Sequence, residues 1–289
     1  MTRRPLLTPD RPAAVVTRGC LKFMAQLADD AVDLGVASPP YETQRTYRRG
    51  YRLERMGWLA EWAPVFHEQL RVTRGPVCWV IANTHRGGRE SLIVERLKVA
   101  LDDAGVYVHP NYLYERYSTP GKRRYARDIL ETVVVASKSW PLPYLDEKAA
   151  GGPPKHRRGG DFSHRTAAGG RVAGKPYPAV ERCMAVNVIR GPVGGGHMAA
   201  TPEQSRLAEQ GQAPYPEWLV APLIETFCPP GGVVLDPLCG TGTTLTAARR
   251  LGRRAVGCDR DKTQTAIARR RLELLAREMA AGTAEGVAR

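Results

Sequence analysis

The stretch Asp236-Pro237-Leu238-Cys239-Gly240-Thr241-Gly242-Thr243-Thr244 decides the predicted fold of this chain. It follows the apolar residues 232–235 and precedes a helical pattern at residues 245–251. A strand, a glycine turn and a helix in this order have the layout of a nucleotide-type site at the edge of an open α/β sheet. A generic β–α–β unit with a glycine turn is the simpler explanation of the same pattern.

The residue types in this stretch indicate which ligand it binds. Leu245 stands where the dinucleotide fingerprint needs a third glycine, and no lysine follows the glycines as in a phosphate loop. Thr243 and Thr244 begin a helix, and a helix N-terminus attracts a carboxylate. Asp236 can hold a cationic amine, and Asp259 lies about 20 positions past the glycines, where an acidic residue binds ribose hydroxyls. Amine, carboxylate and ribose together predict S-adenosylmethionine rather than NAD.

A second polar cluster, Ser38-Pro39-Pro40-Tyr41, follows the apolar residues 32–37. Proline has no N–H, so the backbone of the two prolines offers only acceptors, and the serine hydroxyl adds another. The tyrosine adds a flat aromatic ring. Acceptors beside a stacking ring suit a planar base with an exocyclic amino group, whose nitrogen becomes more nucleophilic when its protons are held. A Pro-Pro turn beside a core tyrosine is the alternative.

Together the two clusters resemble the motifs of the DNA amino-methyltransferases, which methylate N4 of cytosine or N6 of adenine. Residues 38–41 are similar to the family's catalytic motif, (S/D/N)PP(Y/F/W). Residues 236–244 are similar to its cofactor motif, DPFxGSGTT, with Leu238 and Thr241 replacing Phe and Ser. The catalytic motif comes first, which resembles the β-group arrangement, a circular permutation of the methyltransferase sheet. Residues 214–219 resemble the segment before the cofactor strand.

The resemblance implies an α/β fold, a Rossmann-like methyltransferase sheet with helices on both faces. It implies catalytic roles for Ser38, Pro39, Pro40 and Tyr41. It implies cofactor contacts from Asp236, Leu238, Gly240, Thr241, Gly242, Thr243, Thr244, Asp259 and Tyr215.

Two features depart from the family pattern. Gly19-Cys20 stands where members often have Gly-Asp, and a thiol is a poor acceptor for the cofactor adenine. Residues 198–213 separate Gly196-His197 from Pro214-Tyr215-Pro216, although these two segments are usually almost adjacent. The fit around the cofactor's entrance therefore does not follow from the family pattern.

The composition indicates which kind of partner the protein binds and in which cellular compartment we expect it. The chain of 289 residues has a net charge of +14 and a pI near 9.8. This charge predicts a polyanionic partner, double-stranded or single-stranded DNA, although an arginine-rich composition in general explains part of it. The six cysteines include no CxxC pair, so we expect a reducing cytoplasm and no metal site. The chain has no apolar signal core and no run of roughly 18 apolar residues, so no membrane span is expected.

Two basic segments are candidates for DNA contacts. Residues 42–55 interleave arginine with tyrosine and suit a lid over a DNA strand, although a solvated loop fits equally. Residues 147–178 predict a mobile basic loop, with a passive linker as the alternative. We therefore divide the chain into a catalytic half (1–146), a basic linker or DNA-recognition insert (147–195) and a cofactor-binding half of the same domain (196–289). The DNA-binding candidates are Arg45, Arg48, Arg49, Arg157, Arg158 and Arg165.

These features predict a site-specific DNA methyltransferase that flips its target base and transfers a methyl group directly, in line, from S-adenosylmethionine. In the family that the chain resembles, a leading serine such as Ser38 leans toward N4 of cytosine, and Asp or Asn toward N6 of adenine. N6-adenine methylation is the first alternative, an inactive DNA-binding protein of the same fold the second, and methylation of RNA or a free nucleotide the third. The sequence leaves open the recognition site, a homodimer and a restriction endonuclease partner.

Overall fold

The computed structural model describes residues 6–41, 55–86, 88–117, 130–154, 160–192 and 196–287. The strands in these ranges are β1 (Ala13–Thr17), β2 (Leu34–Ala37), β3 (Val77–Ile81), β4 (His85–Arg86), β5 (Arg89–Glu90), β6 (Tyr107–Val108), β7 (Tyr112–Tyr117), β8 (Leu130–Ser137), β9 (Gly160–Arg165), β10 (Arg171–Tyr177), β11 (Val188–Pro192), β12 (Val233–Asp236) and β13 (Arg254–Asp259). Nine of them form one sheet in the order β1-β13-β12-β2-β3-β8-β7-β11, with β6 also paired to β8.

The direction of the strands decides where the polar loops lie. Strands β1, β13, β12, β2 and β3 run parallel to one another. Strand β8 runs antiparallel to β3 and to β7, so β7 again points the same way as the parallel set. The carboxyl ends of the parallel strands and the amino end of β8 therefore meet at one edge of the sheet, where open α/β sheets bind ligands.

Helices cover both faces of the sheet. They are α1 (Cys20–Met24), α2 (Arg55–Val72), α3 (Ile93–Asp103), α4 (Pro202–Ala208), α5 (Glu217–Phe227), α6 (Thr243–Arg250) and α7 (Lys262–Val287). Side chains of β3 alternate between the two layers: Trp79 packs in the core with α1, α2 and α3, and Val80 in the core with α5 and α6. No helix in the described ranges is both long and apolar enough to span a membrane.

The predicted fold class is confirmed, because a Rossmann-like sheet carries helices on both faces. Strand β2, which comes early in the chain, lies directly beside β12, which comes late. The near-continuous apolar character of these strands follows from burial on both faces.

The prediction of a loop throughout residues 147–178 is wrong for its second half. Strands β9 and β10 form an antiparallel ribbon, closed by a turn in which Gly169 has a φ of +81°. Most of the described side chains in the ribbon are exposed on both faces, so no apolar alternation marks the strands in the sequence. Backbone hydrogen bonds hold the turn, including Thr166 N to Gly170 O at 2.8 Å.

Helix α4 occupies the segment 198–213 that departs from the family pattern. Thr201 caps the helix, because its side chain accepts a hydrogen bond from Gln204 N, and Pro202 takes the first helical position. The residues that follow it, Gly211 to Ala213, contribute to the wall of the cavity described next.

Candidate active site

Three polar residues stand side by side at the carboxyl edge of the sheet. Ser38 follows β2, Asp236 ends β12 and Asp259 ends β13. Strand β12 is paired with both of the other strands, so the three residues end neighbouring strands. Two clusters that lie far apart in the sequence therefore meet in the fold.

A cavity of about 980 Å³ at this edge contains both clusters in its wall. All four predicted catalytic residues line it: Ser38, Pro39, Pro40 and Tyr41. The predicted cofactor residues in its lining are Leu238, Gly240, Thr241, Thr243, Asp259 and Tyr215. The remaining three, Asp236, Gly242 and Thr244, are buried next to this lining. Gly19 and Cys20 line the same cavity.

The carboxyl group of Asp236 is engaged entirely by neutral donors. Its Oδ1 accepts from Leu238 N at 3.0 Å. Its Oδ2 lies 3.2 Å from the Tyr215 hydroxyl and 2.5 Å from the Thr244 hydroxyl. Burial raises the pKa of this carboxyl to about 6, because the charged form loses contact with water. In its ionised form Asp236 places an uncompensated negative charge beside the cavity.

The glycine turn has a backbone that other residues adopt only with strain. Gly240 and Gly242 have φ angles of +47° and +85°, in the left-handed region. A Cβ on Gly242 would lie 2.9 Å from the Cβ of Ala268, whereas on Gly240 the nearest atom would be Gln264 Oε1 at 3.8 Å. Gly242 thus allows close helix packing, and Gly240 leaves room for a ligand.

Asp259 ties the turn to the next strand. Its Oδ2 accepts from Gly240 N at 3.1 Å, and its Oδ1 accepts from Asp261 N at 2.8 Å. Burial raises the pKa of the Asp259 carboxyl as well. The residue that the sequence predicts for ribose binding therefore also positions the glycine turn.

Arg271 of α7 holds the glycine turn from behind, and it was not among the residues predicted for the site. Its side chain is fully buried, and Nη1 donates to Thr241 O at 3.0 Å and lies 3.1 Å from Thr243 Oγ1. Its Nε donates to Gln204 Oε1 at 3.2 Å, and its Nη2 donates to Glu217 Oε1 at 2.9 Å. Burial lowers the pKa of this guanidinium to about 10, so it stays charged at neutral pH.

No local signal distinguishes Arg271 in the sequence. It stands in an arginine-rich run, between Arg270 and Leu272, on a helix with an amphipathic pattern. Its partner Gln204 belongs to α4, the helix of the unusual segment. Helix α4 therefore supports the glycine turn at residues 236–244, the predicted cofactor turn, through a buried arginine.

The predicted catalytic cluster, residues 38–41, is held at two points. Trp58 Nε1 donates to the Pro40 carbonyl at 2.7 Å, so this carbonyl is already occupied. The Tyr41 hydroxyl donates to Glu131 Oε2 at 2.7 Å, and Glu131 in turn pairs with Arg116. Trp58, Glu131 and Arg116 were not among the residues predicted for the site.

The predicted DNA-binding residues lie mostly beyond the described ranges. Arg45, Arg48, Arg49, Arg157 and Arg158 are outside them. Arg165 ends β9, is exposed, and pairs across the ribbon with Arg171 of β10. Within the described ranges, no group of His, Cys, Asp and Glu side chains is arranged to hold a metal ion.

The fold and the site define a class of protein. A Rossmann-like sheet with a cavity that joins the cluster at residues 38–41 to a glycine turn is that of an S-adenosylmethionine-dependent methyltransferase.

Comparison with known proteins gives the family. A sequence model of the N6/N4 DNA methylases matches residues 32–270. The orphan methyltransferase M.BamHII of Bacillus amyloliquefaciens is 30% identical over 257 residues, which make up 86% of this chain and 91% of that protein. The chain therefore belongs to the DNA methylase family, and its cofactor is S-adenosylmethionine.

Solved structures share the fold. The PvuII DNA methyltransferase, which is cytosine-N4-specific, aligns with a TM-score of 0.67 at 15% identity, over 90% of this chain and 86% of that one. A candidate DNA modification methylase of Thermus thermophilus, complexed with S-adenosyl-L-methionine, aligns with a TM-score of 0.56 at 22% identity, over 91% and 93% of the two chains.

Proposed function

We propose that this DNA methylase modifies the exocyclic N4 of cytosine in DNA at a specific site, after the target base has left the duplex. The observation that carries the proposal is the shared cavity, in which the catalytic cluster and the cofactor turn face the same space. An amino group held at one wall can therefore reach a methyl group held at the other.

The residues of the cofactor wall fit S-adenosylmethionine. The open space at Gly240 admits a ligand close to the backbone, and the start of α6 at Thr243, in the cavity lining, favours a carboxylate. The charge of Asp236 favours a cationic amine, and Asp259 offers a carboxylate to ribose hydroxyls. When bound there, the cofactor supplies a methyl group on a sulfonium centre.

The residues of the substrate wall position the amino group. The Ser38 hydroxyl and the Pro39 carbonyl accept hydrogen bonds from its two N–H groups, which localises the lone pair on the nitrogen. The Pro40 carbonyl is taken by Trp58, so Pro39 is the proline whose carbonyl serves the substrate. Tyr41 stacks on the base, and holding both reactants in contact supplies roughly 7–11 kcal/mol of barrier reduction in favourable cases. The chain's own residues need no covalent bond to the substrate.

Two observations support cytosine over adenine. The catalytic cluster begins with Ser38 rather than Asp or Asn, and the chain shares its fold with a cytosine-N4-specific enzyme. Both bases present an amino group beside a ring nitrogen, so the same wall can position either one. Adenine is therefore the outcome that competes with cytosine in the test.

The charge supports a polymeric, anionic substrate. The net charge of +14 favours DNA, and Arg165 and Arg171 pair across an exposed ribbon whose surface suits a phosphate backbone. We infer that residues 147–195 contribute to DNA recognition, together with the arginines at 45, 48 and 49. The cysteines are all free thiols, which fits a reducing cytoplasm.

Nucleoside analysis tests the proposal. The purified protein is incubated with unmethylated DNA and S-adenosylmethionine labelled in the methyl group, and the DNA is digested to nucleosides. We expect the label in N4-methylcytosine, and no label with the Ser38→Ala variant. Label in N6-methyladenine would overturn the choice of base, and label that RNA competes away more strongly than DNA would overturn the choice of polymer.

A methylation map then identifies the sequence context. The gene is expressed in a host that lacks DNA methylation, and the genomic DNA is sequenced for modified bases. A single recurring motif is expected, whereas modification without sequence context would contradict site specificity.

A further inference from the structure

A pair of charged residues fixes the far end of the Tyr41 ring. The Tyr41 hydroxyl donates to Glu131 Oε2 at 2.7 Å, and Arg116 Nη1 lies 3.2 Å from Glu131 Oε1. Both carboxylate oxygens of Glu131 are thereby engaged, and its side chain is only 12% exposed. Arg116 and Glu131 stand outside the catalytic motif, yet both line the cavity beside Tyr41.

The sheet brings this pair to the catalytic cluster. Glu131 lies near the amino end of β8, and Arg116 lies near the carboxyl end of β7. Tyr114 pairs with Glu131 across the two strands, and residues two apart on a strand share a face. The anchor of the Tyr41 hydroxyl is therefore built on paired strands, which hold a side chain more rigidly than a loop does.

The other end of Tyr41 is anchored through its backbone. Trp58, which is 1% exposed, donates its Nε1 proton to the Pro40 carbonyl at 2.7 Å. The rings of the prolines at 39 and 40 fix the φ angles of these two residues. The Tyr41 ring is thus held between a backbone anchor and a carboxylate anchor, and the two together set the tilt of its face in the cavity.

We propose that Glu131, held in place by Arg116, is a positioning residue that sets the Tyr41 ring against the target base. The inference rests on the proposed function, in which Tyr41 stacks on that base. A ring that is free to tilt would let the amino group drift from the Ser38 hydroxyl. A misplacement of about 1 Å costs roughly 100-fold in rate.

A double-mutant cycle tests the inference. The variants are Tyr41→Phe, Glu131→Ala, Glu131→Gln and the double variant Tyr41→Phe with Glu131→Ala. For each, the single-turnover rate of methyl incorporation into unmethylated DNA is measured, together with the dissociation constant of S-adenosylmethionine and the melting temperature. The last two readings separate a positioning effect from misfolding.

Glu115, which precedes Arg116 on β7, provides a matched control. Glu115 forms an ion pair with Arg190 at 2.6 Å, but it is directed to the other face of the sheet and is not part of the cavity lining. Glu115→Gln removes the charge of an ion-paired glutamate on β7, the strand that lies next to the strand of Glu131. It should leave the rate of methylation unchanged.

We expect the rate losses of the Tyr41 and Glu131 variants to overlap rather than multiply. Glu131→Ala lowers the rate about 10- to 100-fold, with cofactor affinity unchanged. Tyr41→Phe removes the hydroxyl that reaches Glu131, so the double variant is no slower than Glu131→Ala alone. Glu131→Gln keeps an oxygen that accepts from Tyr41, and it stays within about threefold of the wild-type rate.

Two outcomes would overturn the inference. One is a wild-type rate in Tyr41→Phe or in Glu131→Ala, and the other is a double variant whose slowing is the product of the two single effects. If Glu131→Ala does not fold, the same cycle is run with Glu131→Gln, which must have no effect once Tyr41 is phenylalanine. Failure of the proposed function is a separate result, because the wild-type protein itself would then put no methyl group on DNA.

Discussion

Two arginine–glutamate pairs serve the two halves of the site, and they differ in how completely their hydrogen bonds are satisfied. Arg271, behind the cofactor turn, is fully buried, and its Nε, Nη1 and Nη2 all donate to neighbours, including Glu217 at 2.9 Å. Arg116, at the substrate wall, has a side chain that is 33% exposed and lies 3.2 Å from Glu131. Its Nε is buried and has no hydrogen-bond partner among the described residues.

The contrast is between two guanidinium groups: all three nitrogens of Arg271 donate hydrogen bonds, whereas Arg116 keeps a buried Nε without a partner among the described residues. The buried Tyr114 hydroxyl, beside Arg116, likewise has no partner within the described ranges. A buried polar atom left unpaired costs about 1–3 kcal/mol, a cost that a ligand removes when it pairs with the atom. We infer that the cofactor turn is organised before ligands bind, whereas the substrate wall keeps unpaired polar atoms that can form hydrogen bonds with a ligand. Changes at the first should therefore cost stability, and changes at the second should cost turnover.

The largest expected effect is on stability, from Arg271→Met. Removal of the guanidinium takes away the Thr241 carbonyl's donor and leaves Arg250, 3.5 Å away, as the remaining cation beside the buried Glu217. Breaking a buried ion pair from one side costs about 3–5 kcal/mol, and Arg250 offsets part of that loss. The measurement is the free energy of unfolding in urea. Arg270→Met is the control, because Arg270 is half-exposed and 3.9 Å from Glu273, so it should change stability by less than about 1 kcal/mol. Equal losses in the two variants would contradict the assigned role of Arg271.

The next effect is on turnover, from Tyr41→Ala. Loss of the stacking ring should lower the rate of methylation about 100-fold, because the target base is no longer held against the Ser38 hydroxyl. Calorimetry should show an unchanged affinity for S-adenosylmethionine, since the cofactor turn is untouched. A matching loss of cofactor affinity would mean that the two walls are not separable.

Cofactor binding should depend on pH through Asp236. Its carboxyl has a pKa raised to about 6 in the free protein, so it takes up a proton as the pH falls through that value. Since a cationic amine prefers the ionised carboxylate, affinity approaches its full value as the pH rises past that pKa and declines toward about a tenfold loss per pH unit as the pH falls below it. Calorimetric titration at several pH values measures this. In Asp236→Asn the affinity should be weak throughout and the pH dependence absent, and a persistent dependence would point to another group.

The smallest effect should come from Trp58→Phe. This change removes the proton that Nε1 donates to the Pro40 carbonyl and replaces a buried indole by a smaller aromatic ring. Beyond the cost of the smaller ring, the lost hydrogen bond should cost about 1 kcal/mol and slow turnover severalfold. Trp62→Phe is the matched control, because the buried Nε1 of Trp62 has no hydrogen-bond partner in the described part of the chain. Equal turnover of the two variants in a methylation assay would show that the hydrogen bond to the Pro40 carbonyl does not contribute to catalysis.

Local patterns predicted the two strands that carry the polar clusters. The apolar residues 32–37 contain β2, and the apolar residues before Asp236 form β12. The ribbon of β9 and β10 escaped prediction because exposure on both faces leaves no apolar period. Arg271, Glu131 and Trp58 escaped prediction because their functions come from partners far away in the chain, and hydrophobic periodicity carries no information about such pairs.

The sequence by itself determined the chemistry at each strand end: acceptors and an aromatic ring at residues 38–41, and a glycine turn at residues 236–244. These are local properties of residue types and spacing. Only the tertiary structure decided that β2 and β12 are neighbours, so that the two ends face one cavity. It also decided which buried side chains brace each wall. Such pairing depends on the packing of the whole sheet and its helices, which no single stretch of the chain encodes.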